Sequence, residues 1–235
     1  MRSSRLPMKD DMFSDEYYSK EHIGIEDNKK ILRKLSPYEP KTMIDLGIGA
    51  GFYRDLYKDF IFCGIEVVDT QIERCRLNGV QVIKHDMEQK FPIDSNQFES
   101  VLMVDTMEHI YNTLGVAEEV YRILSPGGFA LIQIPNIASI SSRIRTLFGR
   151  RPSEIDFMRR TNGCNIGQDH ISAFSVEDLR FLLTKAGFED VKIYGYNNGR
   201  FTKYLNPLTL KGILPSLSSS IIAVAIKHSA KNNKA

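Results

Sequence analysis

Acidic and histidine side chains follow four short apolar segments of this sequence, and side chains of these types bind polar ligands and move protons. The four groups, in chain order, are Asp45 with Gly47, Gly49 and Gly51; Glu66; His85-Asp86-Met87; and Asp105-Thr106-Met107-Glu108-His109. Carboxylates accept hydrogen bonds from hydroxyl and amino groups, and histidine titrates near neutral pH. The sequence therefore indicates a binding site for a polar small molecule, beside groups that could act as acid or base.

The three glycines stand at alternate positions directly after the apolar run Met43–Leu46. Glycine tolerates a positive φ and has no Cβ that would block a ligand. A strand, a glycine-rich turn and a helix N-terminus together form a common small-molecule site. We therefore expect a tight turn over Gly47–Gly51, followed by a helix over Phe52–Asp59.

Apolar segments alternate with helical patterns along most of the chain, which predicts βαβ units and a mainly parallel sheet. The predicted strands are Thr42–Leu46, Ile61–Val68, Val80–His85, Phe98–Val104, Phe129–Ile134, Val191–Tyr196 and Ile221–Ile226. The predicted helices end at Leu35, cover Phe52–Asp59 and Thr70–Leu77, include Leu114–Leu124, and begin after Ser175. Ser125–Gly128 predicts a turn. Since the four polar groups follow strands, we expect them at one edge of the sheet.

Length and composition indicate one α/β domain over residues 1–235, with residues 1–40 as an N-terminal helical cap. No apolar run approaches the roughly 20 residues of a membrane helix, and no apolar signal core follows the basic N-terminus. Three distant cysteines without a Cys-x-x-Cys pair indicate neither disulfides nor a zinc knuckle. We expect a cytoplasmic protein, and a net charge of +2 does not favour nucleic-acid binding.

Two segments interrupt the alternation, and we name them the first insertion (136–170) and the second insertion (197–219). Residues 143–160 of the first contain six arginines at 143, 145, 150, 151, 159 and 160, against Glu154 and Asp156. It is interpreted as a substrate lid for an anionic acceptor, or as a solvated loop surface. The second could line a pocket or pack at the sheet edge. The residues that would do so are Tyr196, Phe201, Tyr204 and Leu205.

Taken in order, these groups resemble the class I S-adenosylmethionine-dependent methyltransferases, especially the small-molecule branch related to the ubiquinone and menaquinone methyltransferases. The resemblance covers residues 42–135 and extends to His170–Phe188. The residues that carry it are Asp45–Gly51, Glu66, Asp86, Phe91-Pro92, Phe98–Val104, Glu108-His109 and Leu124–Gly128. It implies a Rossmann-like, seven-stranded, mainly parallel sheet of order 3-2-1-4-5-7-6 with the last strand antiparallel.

The resemblance also implies S-adenosylmethionine as cofactor and a role for each site residue. Asp45 would lie near the cofactor ammonium group through water, and the glycines would contact the methionine part. Glu66 would accept both ribose hydroxyls. The remaining cofactor-binding residues would hold adenine or lie beside it: Asp86 and the Met87 main chain at the ring edge, Ile65, Val67 and Met87 around the base, and Val104 and Asp105 nearby.

A nicotinamide dehydrogenase is the alternative interpretation of the glycine motif, since it also has an acid after the second strand. That fingerprint requires glycine where this sequence has Phe52. Asp45 and Asp86 favour methyl transfer further. A relative that binds the cofactor without catalysis also remains open.

Asp105-x-x-Glu108-His109 has three interpretations. At helical spacing the three side chains share one face and could hold a divalent cation with His170, as in some quinone-precursor and RNA-end methyltransferases. In the second interpretation Asp105 lies beside the cofactor, Glu108 caps a helix start and His109 lines the pocket. In the third, His109 acts as general base, with a structural histidine as the alternative. We expect no metal, with His109 and His170 as catalytic residues in O-methylation by direct displacement. The expected partner is a small-molecule acceptor, which is anionic if the arginines of the first insertion bind it. We expect neither membrane insertion nor nucleic-acid binding, and the oligomeric state is open.

Overall fold

The structure is a computed structural model that describes residues 25–152, 170–197 and 202–229. Within these residues one sheet of seven strands has the order β3-β2-β1-β4-β5-β7-β6. The strands are β1 (Thr42–Leu46), β2 (Ile61–Glu66), β3 (Gln81–Lys84), β4 (Phe98–Val104), β5 (Leu124–Pro135), β6 (Asp190–Tyr196) and β7 (Ser220–Ile226). β7 is antiparallel to β5 and β6, and the other pairs are parallel. The predicted fold is confirmed.

Six α-helices accompany this sheet in the described ranges. They are α1 (Ile25–Leu35), α2 (Asp69–Leu77), α3 (Thr113–Ile123), α4 (Ile140–Leu147), α5 (Val176–Lys185) and α6 (Asn206–Thr209). Helix α5 begins as predicted, because Ser175 and Asp178 form a reciprocal capping box. Three short 3₁₀ turns lie at Met107–His109, Thr202–Leu205 and Pro215–Leu217.

Two apolar cores lie on opposite faces of the sheet, because successive side chains of a strand point to opposite faces. Met43 belongs to the core that contains Leu32 of α1. Its neighbour Ile44 belongs to the core that contains Val116 of α3 and Leu179 of α5. Burial on both faces explains why the strands are continuous apolar runs in the sequence.

The predicted helix Phe52–Asp59 is wrong, since this segment consists of turns. Its apolar side chains are buried at helical spacing, which explains the prediction. However, Arg33 of α1 donates to the main-chain oxygens of Asp55 and Leu56. Asn28 of the same helix donates to the Tyr53 hydroxyl at 2.9 Å. Contacts with α1 therefore replace hydrogen bonds that a helix would make.

The predicted turn Ser125–Gly128 instead lies within the bounds of β5. Phe98 of β4 pairs with Leu124, while Ser100 pairs with Phe129, so the intervening residues form an irregularity in the ladder. Gly127 has a φ of 84° there. The turn residues therefore shift the strand register rather than precede the strand.

The first insertion contains helix α4, which the sequence did not predict. Ser139 caps it by accepting from the Ser142 main-chain nitrogen. The predicted arginines 159 and 160 and Phe201 of the second insertion lie outside the described residues. No helix in the described ranges is long and apolar enough to cross a bilayer.

Candidate functional site

The glycine loop, Gly47–Gly51, leaves β1 at the carboxyl edge of the sheet. Its three glycines all have positive φ, at 78°, 54° and 76°. The main-chain nitrogens of Gly47 and Ile48 donate to the Ile65 oxygen of β2 at 3.0 and 3.1 Å. A Cβ at Gly47 would lie 2.5 Å from the Thr106 hydroxyl oxygen, whereas one at Gly49 would meet no atom within 4 Å. The loop therefore presents bare main chain to open space at Gly49.

Glu66 ends β2 with a carboxylate held by three main-chain amides. One oxygen accepts from Gly49 at 2.9 Å, and the other accepts from Val67 and Val68 at 2.8 and 3.0 Å. The residue is 8% exposed. Because a carboxylate offers about four acceptor positions, Glu66 is fixed in orientation and can still accept from a ligand.

Asp45 lies in β1 beneath the glycine loop and is only 2% exposed. Its burial raises the pKa of the carboxyl well above its usual range, and the nearby Glu66 charge raises that pKa further. A buried carboxylate is costly without a cationic partner. The position therefore suits a ligand that brings positive charge near the loop.

The predicted adenine-binding residues differ in accessibility. Asp86 is exposed, and its carboxylate accepts from the Glu88 main chain at 3.0 Å. Val67 is 53% exposed and Met87 is half-buried. Ile65 is fully buried in the core, and its main-chain oxygen accepts from the glycine loop. Its predicted side-chain contact with the base stays a prediction.

The end of β4 turns sharply toward the glycine loop. Asp105 has a φ of 48°, in the left-handed region that aspartate tolerates better than most residues. Its main-chain nitrogen donates to the Gln133 oxygen of β5 at 3.0 Å. The half-buried Val104 accepts from the Thr106 hydroxyl at 2.9 Å. This turn places Thr106 against Gly47, a contact that the sequence did not suggest.

Glu108, His109 and His170 form a cluster whose potential ligand atoms all lie within 4.8 Å of one another. The centroids of the two imidazole rings are 5.2 Å apart, and the angle between the ring planes is 71°. His170 lies in this cluster because the next two residues are bound to Glu108. The main-chain nitrogens of Ile171 and Ser172 donate to the main-chain oxygen of Glu108 at 2.8 and 2.9 Å. The structure thus unites two histidines that are 61 positions apart in the sequence.

The expected helical face of Asp105, Glu108 and His109 is wrong, because Met107–His109 is a 3₁₀ turn. Asp105 is exposed and lies outside the cluster of potential ligands. Asp105 precedes this turn with a positive φ that a right-handed helix does not have, so helical spacing does not place the three side chains on one face. Asp105 acts on Glu108 through its charge instead.

Glu108 is 2% exposed, and neither carboxylate oxygen has a hydrogen-bond partner among the described residues. The His170 imidazole lies beside it, with Nε2 3.8 Å from Oε1. Burial, and then the Asp105 charge, raise the pKa of this carboxyl well above its usual range. The site therefore favours either a protonated Glu108 or a cation beside it.

Asn136 is a structural element of the site that the sequence analysis missed. It is fully buried after β5, and its amide donates to the Ser216 and Ser218 oxygens at 3.0 and 2.7 Å. It also forms a bridge with Phe174, just before α5. Asn136 thus connects the first insertion with the second. The available signal was its position after a strand that ends at the ligand edge.

Comparison with known families decides the class of protein. A family described as "Methyltransferase domain" matches residues 20–193, most of the chain. The chain belongs to this methyltransferase family. It is an S-adenosylmethionine-dependent methyltransferase, and S-adenosylmethionine is its cofactor. The buried acid beneath a bare glycine loop fits the cationic groups of that molecule.

Relatives of this methyltransferase act on different acceptors, as their names state. Phosphoethanolamine N-methyltransferase 2 of Caenorhabditis elegans is 25% identical over 119 residues, which are 46% of this chain and 27% of the relative. Sterol 24-C-methyltransferase erg6 of Aspergillus fumigatus is 30% identical over 125 residues, 48% of this chain and 29% of the relative. The matched part therefore spans only about a third or less of these two proteins.

Solved structures share the fold over most of the chain. A possible histamine N-methyltransferase from Thermotoga maritima has a TM-score of 0.65 at 20% identity, covering 90% of this chain and 97% of its own. Phosphoethanolamine N-methyltransferase 2 from Haemonchus contortus, solved with S-adenosyl-L-methionine, has a TM-score of 0.63 at 16% identity. The superposed region covers 97% of this chain and 62% of the Haemonchus contortus chain.

Proposed function

We propose that this methyltransferase O-methylates a small-molecule acceptor, with His109 or His170 removing the acceptor proton. When bound, S-adenosylmethionine would supply a methyl group on a sulfonium: the acceptor oxygen would attack the methyl carbon in line with the sulfur, the C–S bond would break, and S-adenosylhomocysteine would leave. The observation that carries the proposal is the pair of imidazoles 5.2 Å apart at the ligand edge of the sheet. Imidazole has a suitable pKa for a general base near neutral pH. Orientation and exclusion of water by the insertions would provide much of the remaining acceleration.

We assign the cofactor contacts to the residues around the glycine loop. Asp45 acts near the ammonium group, the three glycines beside the methionine part, and Glu66 at the ribose hydroxyls. The fixed orientation of the Glu66 carboxylate supports this assignment, because a ligand need not order it. Contacts near adenine are assigned to Asp86, Val67 and the Met87 main chain, with Val104 and Asp105 alongside.

Calorimetric titration tests these assignments. We expect Glu66→Ala and Asp45→Ala each to weaken S-adenosylmethionine binding roughly tenfold or more, since each removes a buried charged contact. The matched control is Asp59→Ala, an exposed acid of the same type in the segment after the loop. Equal affinities in wild type and both site variants would refute the placement.

Labelled-methyl transfer tests the histidine role. With an accepted substrate, His109→Ala or His170→Ala should lower kcat by roughly a hundredfold or more while cofactor affinity is retained. The exposed His228 serves as the control position. An unchanged kcat in both variants would contradict general-base catalysis. Cofactor binding without transfer to any acceptor of a cell extract would instead indicate a non-catalytic relative.

A metal-assisted methyltransferase is the second candidate, acting on RNA or a catechol-like ring, and the Glu108, His109 and His170 cluster favours it. One carboxylate and two imidazoles suit a divalent cation such as Zn²⁺. The buried Glu108 oxygens, which lack hydrogen-bond partners in the described ranges, fit such an ion. A bound ion would polarise an acceptor hydroxyl. Activity lost with a chelator and restored by a divalent ion would support this candidate, whereas full activity in excess chelator would exclude it.

We place the chain in the small-molecule branch and in the cytoplasm as part of the same proposal. The Glu108-His109 pair supports the branch, and the acid-poor first insertion supports an anionic acceptor. The thiols of Cys63 and Cys75 are free, which suits a reducing compartment. Screening phosphorylated and phenolic acceptors for labelled-methyl uptake tests the acceptor class.

A further inference from the structure

Two described stretches of the insertions, residues 137–152 and 202–219, contain no Asp or Glu, although the whole chain has 29 acids. Their six cationic side chains are Arg143, Arg145, Arg150, Arg151, Lys203 and Lys211. The overall net charge is only +2, so composition alone does not explain this local excess. We call these two stretches the basic surface.

Helix α4 has an unusual distribution of side chains for a helix on a globular protein. Its buried residue is Ser142, while Ile144 and Leu147 are 51% and 81% exposed. Phe148, directly after the helix, is 74% exposed. The helix end is fixed, because the Arg150 main-chain nitrogen donates to the Arg145 oxygen at 2.9 Å. The apolar side chains thus project from an ordered element.

The second stretch repeats this combination of charge and exposed apolar area. Tyr204, Leu208, Ile213 and Leu214 are 76%, 49%, 50% and 58% exposed. β5 and β6 both run antiparallel to β7, so the insertions that follow them leave the same edge of the sheet. Exposed apolar groups concentrated beside basic groups mark an interaction surface.

We propose that the basic surface binds an anionic lipid bilayer peripherally. Arginine and lysine beside the bilayer attract anionic headgroups, while leucine and phenylalanine enter the boundary between headgroups and acyl chains. Nucleic acid would use the cations but would leave most of the exposed aliphatic side chains in water. Because the surface lies at the carboxyl edge, bilayer contact would also present that edge to amphiphilic molecules.

Sedimentation with vesicles tests this proposal. The full chain should bind vesicles of phosphatidylcholine with phosphatidylglycerol, lose binding at high salt, and bind pure phosphatidylcholine at least roughly tenfold more weakly. Arg150→Gln with Arg151→Gln, and separately Leu147→Ser with Phe148→Ser, should each lower the partition coefficient roughly tenfold or more. S-adenosylmethionine binding and thermal unfolding verify that each variant folds.

The matched control is Arg76→Gln with Leu77→Ser at the end of α2. Leu77 is 88% exposed, and α2 ends at the opposite edge of the sheet, before β3. This pair should leave the partition coefficient unchanged. An equal loss in the control, equal binding to neutral and anionic vesicles, or retention on single-stranded RNA without vesicle binding would each overturn the proposal.

Discussion

At the scale of single residues, the buried Asp45, which we assign to the cofactor site, bears on the stability of the unliganded protein. Its buried carboxyl has a raised pKa. When the pKa of an acid is higher in the folded state than in the unfolded state, the protein loses stability as the pH rises from the unfolded-state pKa toward the folded-state pKa. At neutral pH the unliganded protein therefore keeps a destabilising group at the position that we propose for cofactor binding.

Replacing Asp45 with asparagine should separate these two effects. We expect Asp45→Asn to raise the unfolding temperature of the unliganded protein at neutral pH and to weaken S-adenosylmethionine binding. Below both pKa values the stability gain should vanish. Calorimetric melting with and without cofactor measures both effects. A lower unfolding temperature at neutral pH would show that Asp45 stabilises the unliganded fold.

Cofactor affinity should also depend on pH in a predictable direction. A bound ammonium group favours ionised Asp45, so the pKa of Asp45 falls on binding and a proton is released. Affinity should therefore increase from acidic to neutral pH and level off above the pKa of the unliganded form. Titration calorimetry in buffers of different ionisation enthalpy detects that proton. The same slope in Asp45→Asn would assign the effect to another group.

At the scale of elements, the glycine loop is the part that sequence alone predicted best. Alternate glycines after an apolar run indicated a turn, and all three glycines adopt positive φ. The helix predicted after it is absent, because Arg33 binds main-chain oxygens of that segment. This contact depends on the packing of α1, which no local pattern records.

The glycines of this loop should differ in their tolerance of alanine. Both Gly47→Ala and Gly49→Ala would place a Cβ on a residue with positive φ, which costs about 1 kcal/mol. Only Gly47→Ala would bring that Cβ against Thr106. We therefore expect Gly47→Ala to lower the free energy of unfolding by about 1–3 kcal/mol more than Gly49→Ala. Urea unfolding measures the difference, and equal losses would contradict the contact.

The cluster at the end of β4 was only partly predictable. The sequence nominated Glu108, His109 and His170, but it assigned Asp105 to their face on the assumption of an α-helix. The structure substitutes a 3₁₀ turn and brings His170 in through two hydrogen bonds to the Glu108 main chain. Such a contact between distant segments follows from tertiary packing, which spacing along the chain does not encode.

At the scale of the whole molecule, Asn136 connects the two insertions. Its amide reaches two main-chain oxygens of the second insertion from the end of β5. Removal of one partner leaves buried polar groups without hydrogen bonds, which is costly. The sheet and both cores were predictable from apolar periodicity, whereas this connection between insertions was not.

Asn136→Ala should therefore destabilise the protein more than a comparable surface change. We expect a loss of about 2–4 kcal/mol in the free energy of unfolding, because the main-chain oxygens of the half-buried Ser216 and the buried Ser218 lose their donor. Asn78→Ala, at an exposed position after α2, is the control. Urea unfolding of both variants checks the expectation. Equal stability of the two variants would show that the Asn136 amide contributes little.

The arrangement of the sheet has a consequence for how such enzymes diversify. The residues assigned to the methyl donor follow β1, β2, β3 and β4, whereas the insertions follow β5 and β6. Mutations that reshape the insertions can therefore accumulate without disturbing the donor half, provided that the Asn136 connection is kept. Exchange of both insertions together between homologues should transfer acceptor preference, while exchange of either one alone should yield a poorly folded hybrid.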